Sequence, residues 1–499
     1  MKFIYEINKK VPKGSWCATL TKGNEECKIE AGEGIEFNND FFVYGVWDDD
    51  FSLGNFNKTN FSCCTGGSVK NCKWGGVEFS TPSHMLESLY GIKKDNTFFI
   101  SNSIPMILKR SGLSLDPNYM NYQRDLCSSM FGMKNQITSS PLKNGYFINY
   151  FRNCNIEIDI NLNFVKRNHI LQFEFNNYED YLQCLKKTLS KIQKNATDDK
   201  RKIKFNMITT ISKGYDAAAS SALAREIDCK RTLSFNQPIK YEQDCGLEIA
   251  RNLGYSEIFI VNGDKYLIDN NLEEIDSFVN GSLNPNLFSA FKDEFENSLI
   301  FKGNRGDSLW ERNHENINNN LDFTNGNTLS TNDHTEIEFA LKINSVFIPV
   351  PLITGNNWES LNKISDSEEM KKWSVSSSYD RPIPRRILEE KGIKRNAFGF
   401  KKMGMGKSLQ FESFKRIRNK ISKASFQSLM EFKKDFCQSK FKKWSHFLNF
   451  YFNEFPIFFN YIMDKIRIPL KIKKNSKFLS SPYSTLILCW SVEELKKKY

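Results

Sequence analysis

The segment Ile203–Glu226 constrains this chain more than any other part of it. KIKFNMITT is an apolar, β-branched run suited to a buried strand, and AAASSALARE is a strong helix former beginning just after Asp216. Between them, Ser212-Lys213-Gly214-Tyr215-Asp216 is a tight glycine turn. Backbone N–H groups in such a turn, and at the helix start behind it, carry partial positive charge that suits a phosphate. The order Lys-Gly-Tyr-Asp differs from the G-x-x-x-x-G-K-[ST] loop, because no Lys-Ser/Thr pair opens the helix. A strand can also turn into a helix through a glycine with no ligand involved, so the company this loop keeps decides its meaning.

That company begins with length. At 499 residues the chain predicts two or three domains, and 42 Phe supply ample bulk for their cores. The 12 Cys form no C-x-x-C pair, and the loose group Cys17, Cys27, Cys63, Cys64 and Cys72 fits no zinc spacing. Reduced, buried thiols in a cytoplasmic protein are the expectation. MKFIYEINKK lacks the apolar core of a signal peptide. The most apolar stretch, Phe447–Met463, contains Asn449, Asn453, Glu454, Pro456 and Asn460, so it reads as buried aromatic helix and not as a transmembrane segment. The net charge of +12 concentrates late, in KKMGMGK, FKRIRNKISK, KFKKW and KIRIPLKIKKNSK. Such runs are ordinarily solvated helix faces; a nucleic acid or an acidic lipid surface is the alternative.

Read along its length, the chain is α/β. Residues 1–168 are β-rich, with FFVYGVW, GVEFST, NTFFISNS and GYFINYF between turn clusters, and with helices expected at Ser83–Tyr90 and Pro105–Arg110. An amphipathic helix over 171–196 opens a second domain, 169–410. There, strands at Lys230–Phe235, Glu257–Val261 and Leu299–Phe301 alternate with helices at Asp244–Leu253 and near Leu287–Glu296. This alternation predicts a doubly wound parallel sheet binding its ligand at the strand C-termini, where both the Ser212 loop and Gly303-Asn304-Arg305-Gly306-Asp307 fall. Residues 312–334 read as a polar surface excursion, everything from Glu336 on as largely helical, and 411–499 as a basic helical extension.

Several of these pieces, in order, resemble the asparagine synthetase-like ATP pyrophosphatases. SKGYDAAASSALA stands where that family keeps its Ser-Gly-Gly-x-Asp-Ser loop, with Lys213 for the first Gly and Ala217 for the closing Ser. Asp244, opening DCGLEIARNLGY, resembles the acidic start of the next helix. GNRGDSLWERN resembles Gly-x-Gly-x-Asp-Glu-Leu-Phe-Gly-Gly, with Ser308 for the Glu, Trp310 for the Phe and the Gly pair missing. RPIPRRILEEKGIKRNAFGFKK resembles the region where a Pro-Arg pair and a late Lys face the active site. The resemblance covers most of 30–405 and implies a HUP/PP-loop domain binding ATP and Mg²⁺. It places Ser212, Lys213, Gly214, Tyr215, Asp216, Ser234, Asp244, Gly303 and Gly306 at the nucleotide and Asp216 with Asp307 at the metal. Lys401 or Lys402, with Arg385 or Arg386, would balance charge as pyrophosphate leaves. Each has a plainer role open to it: Asp216 and Asp244 as N-caps, Asp307 as a turn residue, Arg385 and Arg386 as a helix start, Lys401 and Lys402 as solvated surface.

The front of the chain, through NTFFISNSIPMILKRSG, LDPNYMNY, Glu78-Phe79-Ser80 and Gly145-Tyr146-Phe147, resembles the family's glutamine-hydrolysing half, an Ntn-hydrolase-like αββα domain. That half uses a Cys exposed by removal of Met1. Here residue 2 is Lys2 and the first Cys is Cys17. The arrangement resembles β-lactam synthetases, and implies that ammonia or an amine, and not glutamine, joins a small carboxylate substrate. Two other classes stay open: a nucleotide-binding pseudoenzyme, since Ala217 and Ser308 remove polar groups, and a PP-loop enzyme acting on RNA, since the chain is basic.

Overall fold

The computed structural model describes the chain apart from residues 71, 73–74, 120, 129–135, 170–172, 174, 236–237, 240–241, 244, 263–264, 269–272, 280–287, 311, 313–316, 319–321, 324–335, 376–378, 400–413, 437–458, 460–461 and 464–481. It is a mixed α/β molecule. The front domain is built on two sheets. One carries seven strands in the spatial order Lys2–Ile7, Glu26–Ala31, Trp16–Thr21, Thr97–Ser101, Leu89–Lys94, Phe147–Phe151 and Ser139–Pro141. The other carries six, from Phe164–Asn168 through Cys154–Ile158, Val77–Ser80, Ser62–Ser68 and Phe41–Trp47 to Glu36–Phe37. Their apolar faces meet around Trp16, whose ring stacks on Phe79 at 6.0 Å and meets Phe42 edge-on at 4.9 Å. The helix Ile104–Ser111 packs on the first sheet and the helix Tyr178–Ala196 on the second, giving a helix–sheet–sheet–helix stack. Ser103 caps the first helix through Met106 N at 3.3 Å, and Asn177 caps the second through Asp180 N at 2.9 Å.

The sequence expectation of a helix at Ser83–Tyr90 is corrected: 83–88 is a turn, and Leu89–Lys94 is a strand paired on both sides. Leu89, Tyr90, Gly91 and Ile92 are all buried, because the other sheet covers one face of this strand and the helix Ile104–Ser111 the other, whereas a surface helix leaves one side to solvent. Gly91 leaves room for Phe151, whose ring would lie 2.6 Å from a Cβ there.

The second domain holds five parallel strands in the order Glu257–Val261, Arg231–Phe235, Asn206–Thr210, Ser298–Lys302 and Val346–Pro349. Both faces are covered, as a parallel sheet requires. Within Ser298–Lys302, Leu299 and Phe301 join one core with Ala218, Ala222 and Ile249, while Ile300 joins the opposite core with Ile208, Leu233, Phe295 and Phe339. The fifth strand falls where helix was expected. Its four residues are too short for a period to show, and Pro349 and Pro351 end them. Helix 171–196 starts later than expected, at Tyr178, and Asp244–Leu253 contracts to Leu247–Asn252.

The antiparallel sheets and the parallel sheet share one apolar core and are joined by buried hydrogen bonds. Tyr44 donates to the carbonyls of Ala340, at 3.2 Å, and Ser345, and Gly14 N donates to Leu341 O at 2.7 Å. Glu338 accepts from Ser103 Oγ at 3.1 Å and Tyr499 Oη at 2.8 Å. The segment read as a separate extension shares a core with the front domain: the helix Pro482–Lys496 lies against Ile104–Ser111 and Tyr122–Leu126, and Trp490 is fully buried. Among the described residues no helix is long and apolar enough to cross a membrane. Most of Phe447–Met463, of the polar excursion at 312–334 and of the basic runs lies outside the described residues.

Candidate functional site

The first and fourth strands of the chain's path through the parallel sheet, Asn206–Thr210 and Ser298–Lys302, are neighbours in the middle of that sheet. From the first the chain crosses to Arg231–Phe235 on one side; from the other it crosses to Val346–Pro349 on the opposite side. Loops that part in this way leave a crevice at the strand C-termini, the place where open parallel sheets bind ligands. Both glycine loops stand at this point.

In the first loop the Ser212 hydroxyl accepts from Gly214 N at 3.1 Å, and Gly214 is the N-cap of the helix Tyr215–Glu226. Asp216 is therefore the second helical residue and not the cap. Tyr215 turns inward and is fully buried, its ring 4.9 Å from Tyr379 and 5.7 Å from Phe398. Its backbone N–H donates to the Tyr379 hydroxyl. In the second loop Arg305 takes a left-handed conformation (φ 70°), and Gly306 begins a short helix with Asp307 in its first turn. The loops touch. A Cβ on Gly303 would lie 2.4 Å from the Asp216 carbonyl carbon, and one on Gly306 would lie 2.6 Å from Asp216 Cγ. Glycine at these two positions is what lets the loops approach.

A third element completes the site. Arg381 immediately precedes the helix Pro382–Glu390, which packs along Tyr215–Glu226. Its Nη1 donates to both carboxylate oxygens of Asp216, at 2.7 and 2.5 Å, with the side chain almost wholly buried and its guanidinium 4.8 Å from the Tyr379 ring. Burial opposes its charge, but Asp216, then Tyr379 and Asp307, outweigh burial and hold the guanidinium protonated beyond its ordinary range. One turn on, Arg385 donates to the Tyr215 hydroxyl, and Gly399 N donates to Lys213 O at 2.9 Å. Gly399 (φ 72°) is required there, because a Cβ would lie 2.3 Å from the Tyr215 ring.

Not every nominated residue gathers here. Arg386 points the other way, bonded to Glu390 at 2.7 Å and Glu369 at 3.1 Å and lying 3.8 Å over the Tyr178 ring. Ser234 is buried, with its hydroxyl taken by Gly246 N at 2.8 Å. Trp310, in the place of the family's Phe, donates to Tyr181 Oη at 2.7 Å in the core. Asp244, Lys401 and Lys402 lie outside the described residues. Arg381 was not among the residues expected here: Arg385 and Arg386 each pair with a Glu four positions on, Glu389 and Glu390, so spacing alone does not show which face of the helix meets the loop.

Mg²⁺ takes one or two carboxylates together with phosphate oxygens and water, and Asp216 with Asp307 is a donor set of that kind. As placed, however, both oxygens of Asp216 hold Arg381, and among the described residues no group of three or more His, Cys, Asp or Glu is arranged for a metal. The pair does not fit the ion as it stands.

The second loop also walls a cleft of about 390 Å³ facing the front domain, lined by Ser83, His84, Met85, Asn153, Arg305 and Leu309 among others. His84 Nδ1 accepts from Leu86 N at 3.3 Å, so Nε2 bears the proton, and burial holds the ring neutral with its pKa down at about 3. No protein-family model matches the chain. No curated protein matches it either.

Proposed function

We propose that the chain is an ATP-dependent, AMP-forming amide ligase of the asparagine synthetase-like kind, acting in the cytoplasm. The observation that carries the reading is the meeting of Asp216 with Gly303 and Gly306 at the switch point of a parallel sheet. In this reading the phosphates of ATP lie against the backbone of Lys213–Tyr215 and the start of the long helix, where N–H groups and the helix dipole favour negative charge. A carboxylate oxygen of the second substrate attacks the α-phosphorus, the bond to the bridging oxygen breaks, and pyrophosphate leaves with that electron pair. An amine nitrogen then attacks the acyl carbon. AMP departs with the electrons of the C–O bond, and the nitrogen gives up a proton. Binding and orientation are the protein's share of this chemistry.

The amine comes from solution in this account. Cys17 sits in the middle of the first sheet, and burial pushes its thiol up to about 12, so no thiolate nucleophile forms there at neutral pH. The free cysteines among the described residues suit a reducing compartment. The test is pyrophosphate release from ATP with a panel of carboxylates, with ammonium chloride or a small primary amine present. A second reading, a nucleotide-binding protein without turnover, draws support from the Arg381–Asp216 pair, and it predicts ATP binding with no release for any carboxylate.

A further inference from the structure

In the crevice, a carboxylate that the family resemblance would give to a metal is already met by a cation of the protein's own. Arg381 Nη1 reaches both oxygens of Asp216, at 2.7 and 2.5 Å, and the charge of Asp307 acts on the same guanidinium. The guanidinium therefore occupies both oxygens of Asp216, which a divalent ion would otherwise use. It is also held there. Arg381 is 1% exposed against 22% for Asp216, it is followed by Pro382 and Pro384, and its helix is fixed to the loop through Arg385 and Tyr215. A buried arginine in this setting stays charged and needs no ion to arrive.

We propose that Arg381 is a built-in counter-cation of this loop, so that an adenine nucleotide binds through its phosphates without a divalent metal. The inference rests on the nucleotide reading above. Without Arg381, the charges of Asp216 and Asp307 would repel an entering polyphosphate. With it, the carboxylates are compensated and the positive end of the helix Tyr215–Glu226 faces the anion. Arg381 is in this sense a positioning residue, acting on phosphate through Asp216.

Titration calorimetry of the full chain with ADP and with ATP, in EDTA and in MgCl₂, tests this. The wild type is expected to bind with affinities in EDTA and in Mg²⁺ that agree to within about threefold. Arg381→Met is expected to bind about tenfold or more weakly in EDTA and to be restored by Mg²⁺, because Asp216 is then released to hold the ion. Removing one partner of a buried pair can unfold a protein, so Asp216→Asn/Arg381→Met, which neutralises both, is measured beside it with thermal melts. That double variant removes one charge of each sign and leaves the net charge of the crevice unchanged, so it should bind in EDTA to within about threefold of the wild type, with little gained from Mg²⁺. Wild-type binding that requires Mg²⁺ overturns the inference and leaves the nucleotide site standing. So does wild-type affinity in EDTA for a folded Arg381→Met protein, or a double variant that binds as weakly in EDTA as Arg381→Met. No nucleotide binding under either condition overturns both the inference and the site.

Discussion

Replacing Gly303 by alanine puts the meeting of the two loops under direct stress. The new Cβ would lie 2.4 Å from the Asp216 carbonyl carbon, 2.5 Å from its oxygen and 2.6 Å from Ala217 N. All three are backbone atoms, so no rotamer change relieves the overlap; the start of the helix Tyr215–Glu226 or the end of the strand Ser298–Lys302 has to move. Overpacking of this kind costs about 1–3 kcal/mol. For a domain of this size that is a fall in Tm of roughly 3–10 °C. Gly306→Ala is the matched comparison. Its Cβ meets Asp216 Cγ and Oδ1 at 2.6 Å and Asp216 Cβ at 2.7 Å, so relief requires the carboxyl to leave its bonds to Arg381 and the helix start to shift as well. Thermal melts should therefore place both variants below the wild type, and both should lose nucleotide affinity in calorimetry. A Gly303→Ala protein that melts within about 1 °C of wild type and binds nucleotide equally well would refute the packing argument.

Three further outcomes follow from the rest of the molecule. Glu338 is buried at the domain junction, and burial lifts its carboxyl from 4.5 to about 7. A raised carboxyl contributes stability that is present below pH 4.5 and lost as pH rises through about 7, on the order of 3 kcal/mol in all. Glu338→Gln should thus flatten the dependence of Tm on pH between 5 and 8, with residual slope from Glu87 and Asp48, which burial lifts to about 7 and about 6, and in the opposite sense from His84. Iodoacetamide at pH 8 should leave Cys17 unlabelled in the folded chain, as read by mass spectrometry; rapid labelling would contradict its burial. Arg386→Ala should cost about 1 kcal/mol of stability, through lost stacking on Tyr178, and leave nucleotide binding unchanged; a loss of binding would show that Arg386 serves the crevice.

What could be read from the sequence depended on how local the determinant was. The Ser212 loop was legible because strand, turn and helix each announce themselves within a few residues, and the observed helix begins one residue before Asp216. The strand Glu257–Val261 was placed to the residue, between Gly254 and the loop after it. Val346–Pro349 was not legible, because its strand identity comes from pairing with Ser298–Lys302 and not from its own four residues. The turn at 83–88 failed for the same reason: the strand after it is fixed by partners 8 and about 60 positions away, Thr97–Ser101 and Phe147–Phe151. The choice among Arg381, Arg385 and Arg386 was a question of helix face. That face is set by where Tyr215–Glu226 lies, which no single stretch of sequence contains.

The crevice between the Ser212 and Gly303 loops is proposed to transfer AMP from ATP to a carboxylate. Pyrophosphate release from ATP, across a panel of carboxylates with and without an amine, measures this directly. The expected result is release that depends on the carboxylate and disappears in a folded Asp216→Asn variant. Bound ATP with no release for any carboxylate, or release that survives in Asp216→Asn, would contradict it.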